Sequence, residues 1–577
     1  MSNEFESVVF VGGRVRVDEN TTVAALGVRD RRVVAVGERE DVLSRCPGAR
    51  VIDVNGLLVV PGLIDAHPHA LHYGLFEAPL VDIKNAGSWP DIVAAVRERA
   101  ASTPAGEWIM TTPVGEEHYF VRRSWRDLTE GRLPDASVLD EATTDHPVMV
   151  QAWAPETPNI AVFNSAALAL LGIDRDTPDN EGGVIVEKDG SGEPTGRLSG
   201  SVNNYYNHTQ DQFWRSIWTQ IPYIQPPLVP AGLASAIQGQ HALGVTTIYE
   251  AHSMDAQLIG AYIGMNRAGA LNLRVLASID LLGSATTIDI QVPDEAQLLE
   301  DLATAEAIQG DYGEMLRVRG VTLTATGPIP NGHMVMRQPY VDYKGHSCTG
   351  HWVIPQPLLE KAIRAAAERG LRVNFCGGGL GEHDFILGYL DKLRDDGVID
   401  GSEHWIFQHS FFLAEEQAER YADHGFRITV APGATTGDGP VVRERMGADL
   451  LADWNPFRRM VDAGIPVAAS TDWGPKNPWD CMALSVTHEL GKGPERNDGP
   501  AQVVTRQEAY AMWGRKASEV LEWEGIGDLR PGSYADVVLL DRDPVECPIE
   551  DLPGTQVIAT LVGGRVVSGA LPEVAPR

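Results

Sequence analysis

Two histidines one residue apart carry the first chemistry legible in this chain: His67 and His69, in Pro61-Gly62-Leu63-Ile64-Asp65-Ala66-His67-Pro68-His69. The apolar run Leu57-Leu58-Val59-Val60 leads into them. Side chains on an extended strand alternate, so residues i and i+2 face the same way and both imidazoles can reach one cation. Imidazole is a borderline ligand that suits zinc, iron, nickel or copper. A bare His-x-His is weak evidence, because two ordinary polar residues at the end of a buried strand read the same way. Its weight comes from position: metal and substrate sites in parallel α/β proteins gather at the carboxyl ends of strands.

Three later stretches also end apolar runs that read as strands. They are Phe407-Gln408-His409-Ser410, Ala468-Ala469-Ser470-Thr471-Asp472 and Asn374-Phe375-Cys376-Gly377. If the strands close into a barrel, their ends converge on one face, and His67, His69, His409 and Asp472 meet around a metal. Taken singly, His409 reads as a satisfied loop histidine and Asp472 as a helix cap before Trp473-Gly474-Pro475. Glu250 and His252, in Tyr249-Glu250-Ala251-His252, lie at another strand end. Each is either a pocket-lining or a structural polar residue.

The elements that must position these residues follow a β-then-α rhythm. Apolar, β-branched runs at 245–249, 273–279, 316–323, 371–376, 403–409, 426–430 and 465–472 read as strands. Helical patterns fall at 231–243, 358–369, 414–424 and 458–463, and an irregular loop is expected after 430. This alternation argues for a parallel sheet or barrel. Short strands at 7–17, 23–28, 32–37 and 50–53 are matched by Val-rich strands at 536–540 and 556–567, which suggests one small β-domain built from both chain ends. Residues 70 to about 225 break the rhythm. Their segment 203–223 holds Tyr205, Tyr206, Phe213, Trp214, Trp218 and Tyr223. It reads as the core of an inserted subdomain, with a lid over an apolar or aromatic pocket as the alternative.

Bulk properties narrow the function classes. The chain has 577 residues, 43% hydrophobic and 22% charged, as in soluble globular proteins. A net charge of −32 disfavours nucleic acid and anionic membranes as partners. The five cysteines form no Cys-x-x-Cys pair and favour free thiols in a reducing compartment. No apolar run reaches the roughly 18 residues needed to span a membrane, and the start of the chain lacks a basic leader, so a cytoplasmic location is expected. The expected partner is a small-molecule substrate; a homodimer is left open.

These motifs resemble the amidohydrolase superfamily, in particular the amidohydrolase 3 group that includes N-substituted formamide deformylases. The resemblance is carried by 61–69, by Gly182-Gly183-Val184-Ile185 with Glu193-Pro194-Thr195-Gly196-Arg197-Leu198, by Gly244-Val245-Thr246-Thr247, by Pro339-Tyr340-Val341-Asp342-Tyr343, and by 526–538 and 562–567. It implies an α/β fold: a distorted (β/α)8 TIM-type barrel at 61–516, an inserted subdomain at about 70–225, and a β-sandwich domain from 1–60 plus 517–577. It also implies that His67 and His69 are metal ligands from the first strand. His409 becomes the sixth-strand histidine, a ligand or a catalytic base, and Asp472 the eighth-strand aspartate that binds metal and shuttles a proton.

The chain departs from that pattern at three places. Thr322, in Val321-Thr322-Leu323-Thr324, stands where many relatives carry a lysine that bridges two metals. Cys376 stands where they carry a fifth-strand histidine, and Asn159 where they often have a histidine ahead of Asn164-Ser165-Ala166-Ala167-Leu168. The expectation is therefore one divalent metal, zinc with manganese or iron as alternatives. Cys376 and Thr322 are open first-shell positions, with His383 a weaker substitute. The reaction implied is hydrolysis of a non-peptide C–N bond by metal-activated water, with Asp472 taking the water proton and returning it to the leaving nitrogen. The alternatives are a non-hydrolytic lyase or decarboxylase on the same scaffold, or a degenerate ligand-binding member.

Overall fold

Eight parallel strands form the centre of the structure. It is a computed structural model and describes residues 7–115, 123–152, 159–181, 184–200, 202, 212–252, 254–282, 295–327, 329, 332–342, 345–474, 476–491 and 493–572. The strands are β1 (Leu63–Asp65), β2 (Val245–Glu250), β3 (Arg274–Asp280), β4 (Leu316–Thr324), β5 (Val373–Gly377), β6 (Ile406–His409), β7 (Arg427–Val430) and β8 (Val467–Ala469). They pair in sequence order from β1 to β8. The ring nearly closes between β8 and β1, where the Ala66 N–H donates to the Ala469 carbonyl at 3.2 Å and the Asp472 N–H to the His67 carbonyl at 2.7 Å. Every residue of β1, β2, β3, β6, β7 and β8 is buried, as parallel strands covered on both faces require. Strand lengths from three residues in β1 to nine in β4 give the distorted (β/α)8 barrel.

Helices cover the outside. Gln356–Glu368 shows why: Leu359, Ala362, Ile363 and Ala366 are its buried residues and recur at i, i+3, i+4 and i+7. The helix Gly433–Met446, after β7, occupies the segment read from sequence as an irregular loop. Its glycines and the internal Pro440 hide it from propensity. Gly433, Ala434, Thr435, Thr436, Asp438, Gly439, Val441 and Val442 are buried, so tertiary packing outweighs local preference. Pro440 offers no N–H to the Thr436 carbonyl, and the Gly491 N–H satisfies it instead at 2.9 Å.

The chain ends meet in one sheet, with strands in the order Arg565–Gly569, Val557–Val562, Val537–Leu540, Leu58–Pro61, Arg14–Arg16 and Thr22–Val23. A second sheet, ordered Arg32–Gly37, Ala25–Arg29, Ser7–Val11, Arg50–Asp53, shares its core through Phe10, Leu26, Ile52, Leu539 and Leu561. The single strand read at 7–17 is split between the two sheets at Gly12-Gly13, where φ of Gly12 is 75°. A buried bidentate pair ties this region to the barrel: Arg274 of β3 reaches Asp536 at 2.6 and 3.0 Å. The insertion after β1 holds a six-stranded sheet, from Asn180–Glu181 to Ile109–Met110. Trp214 and Tyr223 are buried in its core with Met110, Met149 and Phe163, and Phe213 and Trp218 pack against them. Tyr205, Tyr206, Gly182, Gly183, Tyr343 and Pro475 lie outside the described residues. Among the described residues all five cysteines are free, and no helix is long and apolar enough to cross a membrane.

Candidate metal centre

At the carboxyl end of the barrel, His67 and His69 follow β1, His252 follows β2, His409 ends β6 and Asp472 follows β8. All five are buried. Asp472 Oδ1 lies 3.3 Å from His67 Nε2 and 3.2 Å from His69 Nε2, and its Oδ2 lies 3.9 Å from His409 Nδ1. Two triads bring their ligand atoms within 4.8 Å of one another: His67, His69 and Asp472, and His67, His252 and His409.

Local backbone chemistry aims these groups. His69, His409 and Asp472 have φ of 50°, 73° and 52°, a left-handed conformation uncommon outside glycine. Such strain costs on the order of 1–3 kcal/mol per residue and persists where surrounding contacts over-determine it. One of those contacts is Asp65, which the sequence reading passed over. Its fully buried carboxylate accepts from the His67 N–H and the Thr471 N–H, both at 3.1 Å, and from the Thr471 hydroxyl at 2.5 Å. It thereby locks the segment after β1 to the segment after β8. Burial raises the Asp65 carboxyl to about 6 against those three hydrogen bonds.

Aromatic rings wall the cluster. Trp473 stacks on His69 at 3.7 Å, Phe411 stacks on His409 at 4.7 Å, and Trp454 backs Phe411 at 5.4 Å. With water displaced, the ionisation states separate. Burial first, then the neighbouring His67, holds His69 well below its ordinary range. His252 is lowered likewise, by burial and then by His67, His69 and His409. Burial brings His409 down to about 4. Burial pushes Asp472 upward, but His409, His67 and His69 outweigh it and hold the carboxyl well below the usual range. The result is one carboxylate beside imidazoles held uncharged by burial, the donor set of a divalent cation site. Both ring nitrogens of His67 and of His69, His409 Nδ1 and both Asp472 carboxylate oxygens are buried without a hydrogen-bond partner, and a cation would take up one lone pair from each of His67 and His69 and the carboxylate oxygens.

A buried polar chain runs from this centre through the barrel. The Asn374 amide Nδ2 lies 3.1 Å from the Ala251 carbonyl, 3.1 Å from Thr322 Oγ1 and 3.0 Å from Gln408 Oε1. A carbonyl only accepts, so that nitrogen is the donor. Gln408 Oε1 accepts from it, and the Gln408 amide nitrogen faces His409 Nε2 at 3.2 Å. His409 Nε2 therefore accepts, and neutral His409 carries its proton on Nδ1, towards Asp472. Neither Asn374 nor Gln408 was singled out from sequence; Asn374 stands two residues before Cys376 and so shares its strand face, while Gln408, next to His409, carries no such signal.

The remaining candidates fall elsewhere. The Thr322 hydroxyl donates to the Ala251 carbonyl, so it is committed to backbone. Cys376 belongs to neither triad among the described residues, and burial, then Asp472, Glu382 and Asp280, raises its thiol well above the ordinary range. His383 packs against Phe407, with Nδ1 2.8 Å from the Tyr421 hydroxyl. Glu250 is structural: it accepts from the Leu71 N–H at 2.8 Å and the Tyr262 hydroxyl at 2.7 Å. The side chain of Asn159 lies outside the described residues.

Comparison with known proteins adds a lineage. The family model described as the amidohydrolase family matches residues 50–568. An N-substituted formamide deformylase of Arthrobacter pascens is 25% identical over 97% of this chain and 98% of its own length. An imidazolonepropionase of Streptomyces avermitilis is 31% identical over 26% of this chain and 34% of its own length. Among solved structures, a metal-dependent hydrolase of Pyrococcus furiosus whose function is uncharacterized shares the fold, with TM-score 0.69 and 20% identity over 94% of this chain and 100% of that one.

Proposed function

The chain belongs to the amidohydrolase family, and on that premise we propose that it is a metal-dependent hydrolase of a non-peptide, amide-like C–N bond in a small apolar or aromatic molecule. The observation that carries this reading is the buried triad of His67, His69 and Asp472, with His409 beside it and its polar atoms unpartnered. His67, His69 and Asp472 would hold the cation. A divalent metal here, zinc in the first instance and manganese or iron otherwise, would supply Lewis acidity and lower the pKa of water.

The chain's own groups do the rest. Asp472 Oδ2 takes a proton from the attacking water and returns it to the leaving nitrogen, a general base turned general acid. His409, with its proton on Nδ1, donates a hydrogen bond to the substrate oxygen on which charge develops. Trp473 and Phe411 exclude water and present apolar faces to the acyl or amine substituent. The N-substituted formamide class named for the Arthrobacter relative is the first substrate class to try.

The test uses metal-stripped protein assayed on a panel of N-formyl and N-acyl amines in oxygen-18 water, with zinc, manganese or iron restored. Turnover that returns with metal, is absent in His67→Ala and places solvent oxygen in the acyl product supports the reading. Metal-independent turnover, or a product without solvent oxygen, contradicts it and in the second case points to lyase chemistry.

A further inference from the structure

The family pattern supplies a fifth-strand histidine that this chain lacks, since Cys376 stands in its place. We propose that His252 is the metal ligand that replaces it, held in position by the Thr322–Asn374–Gln408 chain. The inference rests on the metal-centre reading above.

Topology favours His252. β2 pairs directly with β1, so a side chain just past the end of β2 is a lateral neighbour of the His67–His69 segment. β5 is separated from β1 by β2, β3 and β4. The His252 ring lies 4.4 Å from that of His67 and 4.6 Å from that of His69. It forms a ligand-distance triad with His67 and His409, and Cys376 joins no such group among the described residues. His409 is the third member of that triad. Its Nε2 already accepts from the Gln408 amide, and its Nδ1 carries the proton of the neutral ring. Among the described residues no such group joins His252 to His69 or Asp472; the two triads meet at His67, so His252 would approach a cation held by His67, His69 and Asp472 from the His67 side, and imidazoles with one carboxylate suit zinc, iron or manganese.

The two residues that depart from the family pattern then have connected roles. The carbonyl of Ala251, the residue just before His252, receives the Thr322 hydroxyl and the Asn374 amide together. Thr322, at the position of the bridging lysine, thus clamps the backbone that presents His252. The same chain ends at His409 through Gln408. One network therefore sets both the substitute ligand and the free histidine opposite it.

The experiment measures zinc affinity by competition with a chromophoric chelator and records the cobalt(II) absorption spectrum. It compares wild type, His252→Asn, His252→Gln, Cys376→Ser, Thr322→Val, Thr322→Ser and His67→Ala, each matched to wild type by near-ultraviolet circular dichroism of the metal-free form. Partners that merely orient a ligand are worth 10–100-fold in affinity, so loss of His252 itself is expected to weaken zinc by about 100-fold or more. Thr322→Val should weaken it about 10-fold or more, while Thr322→Ser, which keeps the hydroxyl, stays near wild type. Cys376→Ser should leave affinity unchanged, and cobalt should show no sulfur charge-transfer band. Wild-type affinity in both His252 variants, or a sulfur band abolished by Cys376→Ser, overturns the assignment. Those results would leave the centre itself standing provided His67→Ala still loses metal. A His67→Ala variant that binds as wild type sinks the underlying reading instead.

Discussion

Replacing Asp65 separates scaffold from chemistry at this centre. In Asp65→Ala, the His67 N–H and the Thr471 N–H lose the acceptor they share at 3.1 Å and remain buried. An orphaned buried donor costs about 1–3 kcal/mol, so the two together cost about 2–6 kcal/mol, while the Thr471 hydroxyl can rotate to a new partner. Asp65→Asn keeps an oxygen for both N–H groups, and the Thr471 hydroxyl can reverse to accept from the new amide. The amide also avoids a buried charge: a rise of the carboxyl from 3.8 to about 6 amounts to roughly 3 kcal/mol of disfavoured ionisation at neutral pH. That relief offsets the weaker hydrogen bonds of a neutral acceptor, so Asp65→Asn should lie within about 2 kcal/mol of wild type. Urea unfolding followed by tryptophan fluorescence, with zinc affinity measured on the same samples, reads both effects. Asp65→Ala should be the less stable and should bind zinc more weakly, because the clamp between His67 and Asp472 is gone. The reasoning is refuted if Asp65→Ala matches wild type in stability. It is refuted equally if Asp65→Asn is as damaged as Asp65→Ala.

Burial also dictates an acid limb of stability. His383 and His488 are both held at about 3 in the folded chain, against an ordinary 6.5. Between those values the unfolded chain binds protons that the folded chain does not, so each group removes about 1.4 kcal/mol of stability per pH unit as pH falls. Urea midpoints at pH 7, 6 and 5 should decline, and His383→Asn should make the decline shallower; a flat profile contradicts this. Asp536→Ala leaves Arg274 buried and uncompensated, and should cost about 3–5 kcal/mol in the same titration. In Gly232→Ala the new Cβ would lie 1.9 Å from the Gly74 carbonyl oxygen, on the helix that starts just after His69. That helix, Ala70–Glu77, and the helix Val229–Ala242 that carries Gly232 must part, at about 1–3 kcal/mol, and zinc affinity should fall with stability; unchanged affinity would separate the helix at Ala70 from the site.

Periodicity and strand ends made the barrel and the convergence of His67, His69, His409 and Asp472 readable, because both depend on local pattern and on where apolar runs stop. The helix Gly433–Met446 was not readable, since it exists through burial and through a Gly491 N–H borrowed from elsewhere in the chain. The strand expected at 465–472 stops at Ala469: Ser470 still bonds the Val430 carbonyl of β7, but Thr471 and Asp472 turn to meet Asp65 and His67 at the end of β1. The roles of Asp65, Asn374 and Gln408 escaped notice for a related reason. Each also acts on groups supplied by distant segments, Thr471 for Asp65, Ala251 for Asn374 and Asn374 for Gln408, and neighbours in sequence carry no sign of those. Cys376 and Thr322 were visible as departures from a pattern; where their hydroxyl and thiol go depends on the register of β4 against β5.

One cation held by His67, His69 and Asp472 is tested most directly by metal content per chain. Elemental analysis of untreated protein should find one equivalent of a divalent transition metal, lost in His67→Ala and in Asp472→Ala. Two equivalents, none at all, or an unchanged content in either variant would contradict it.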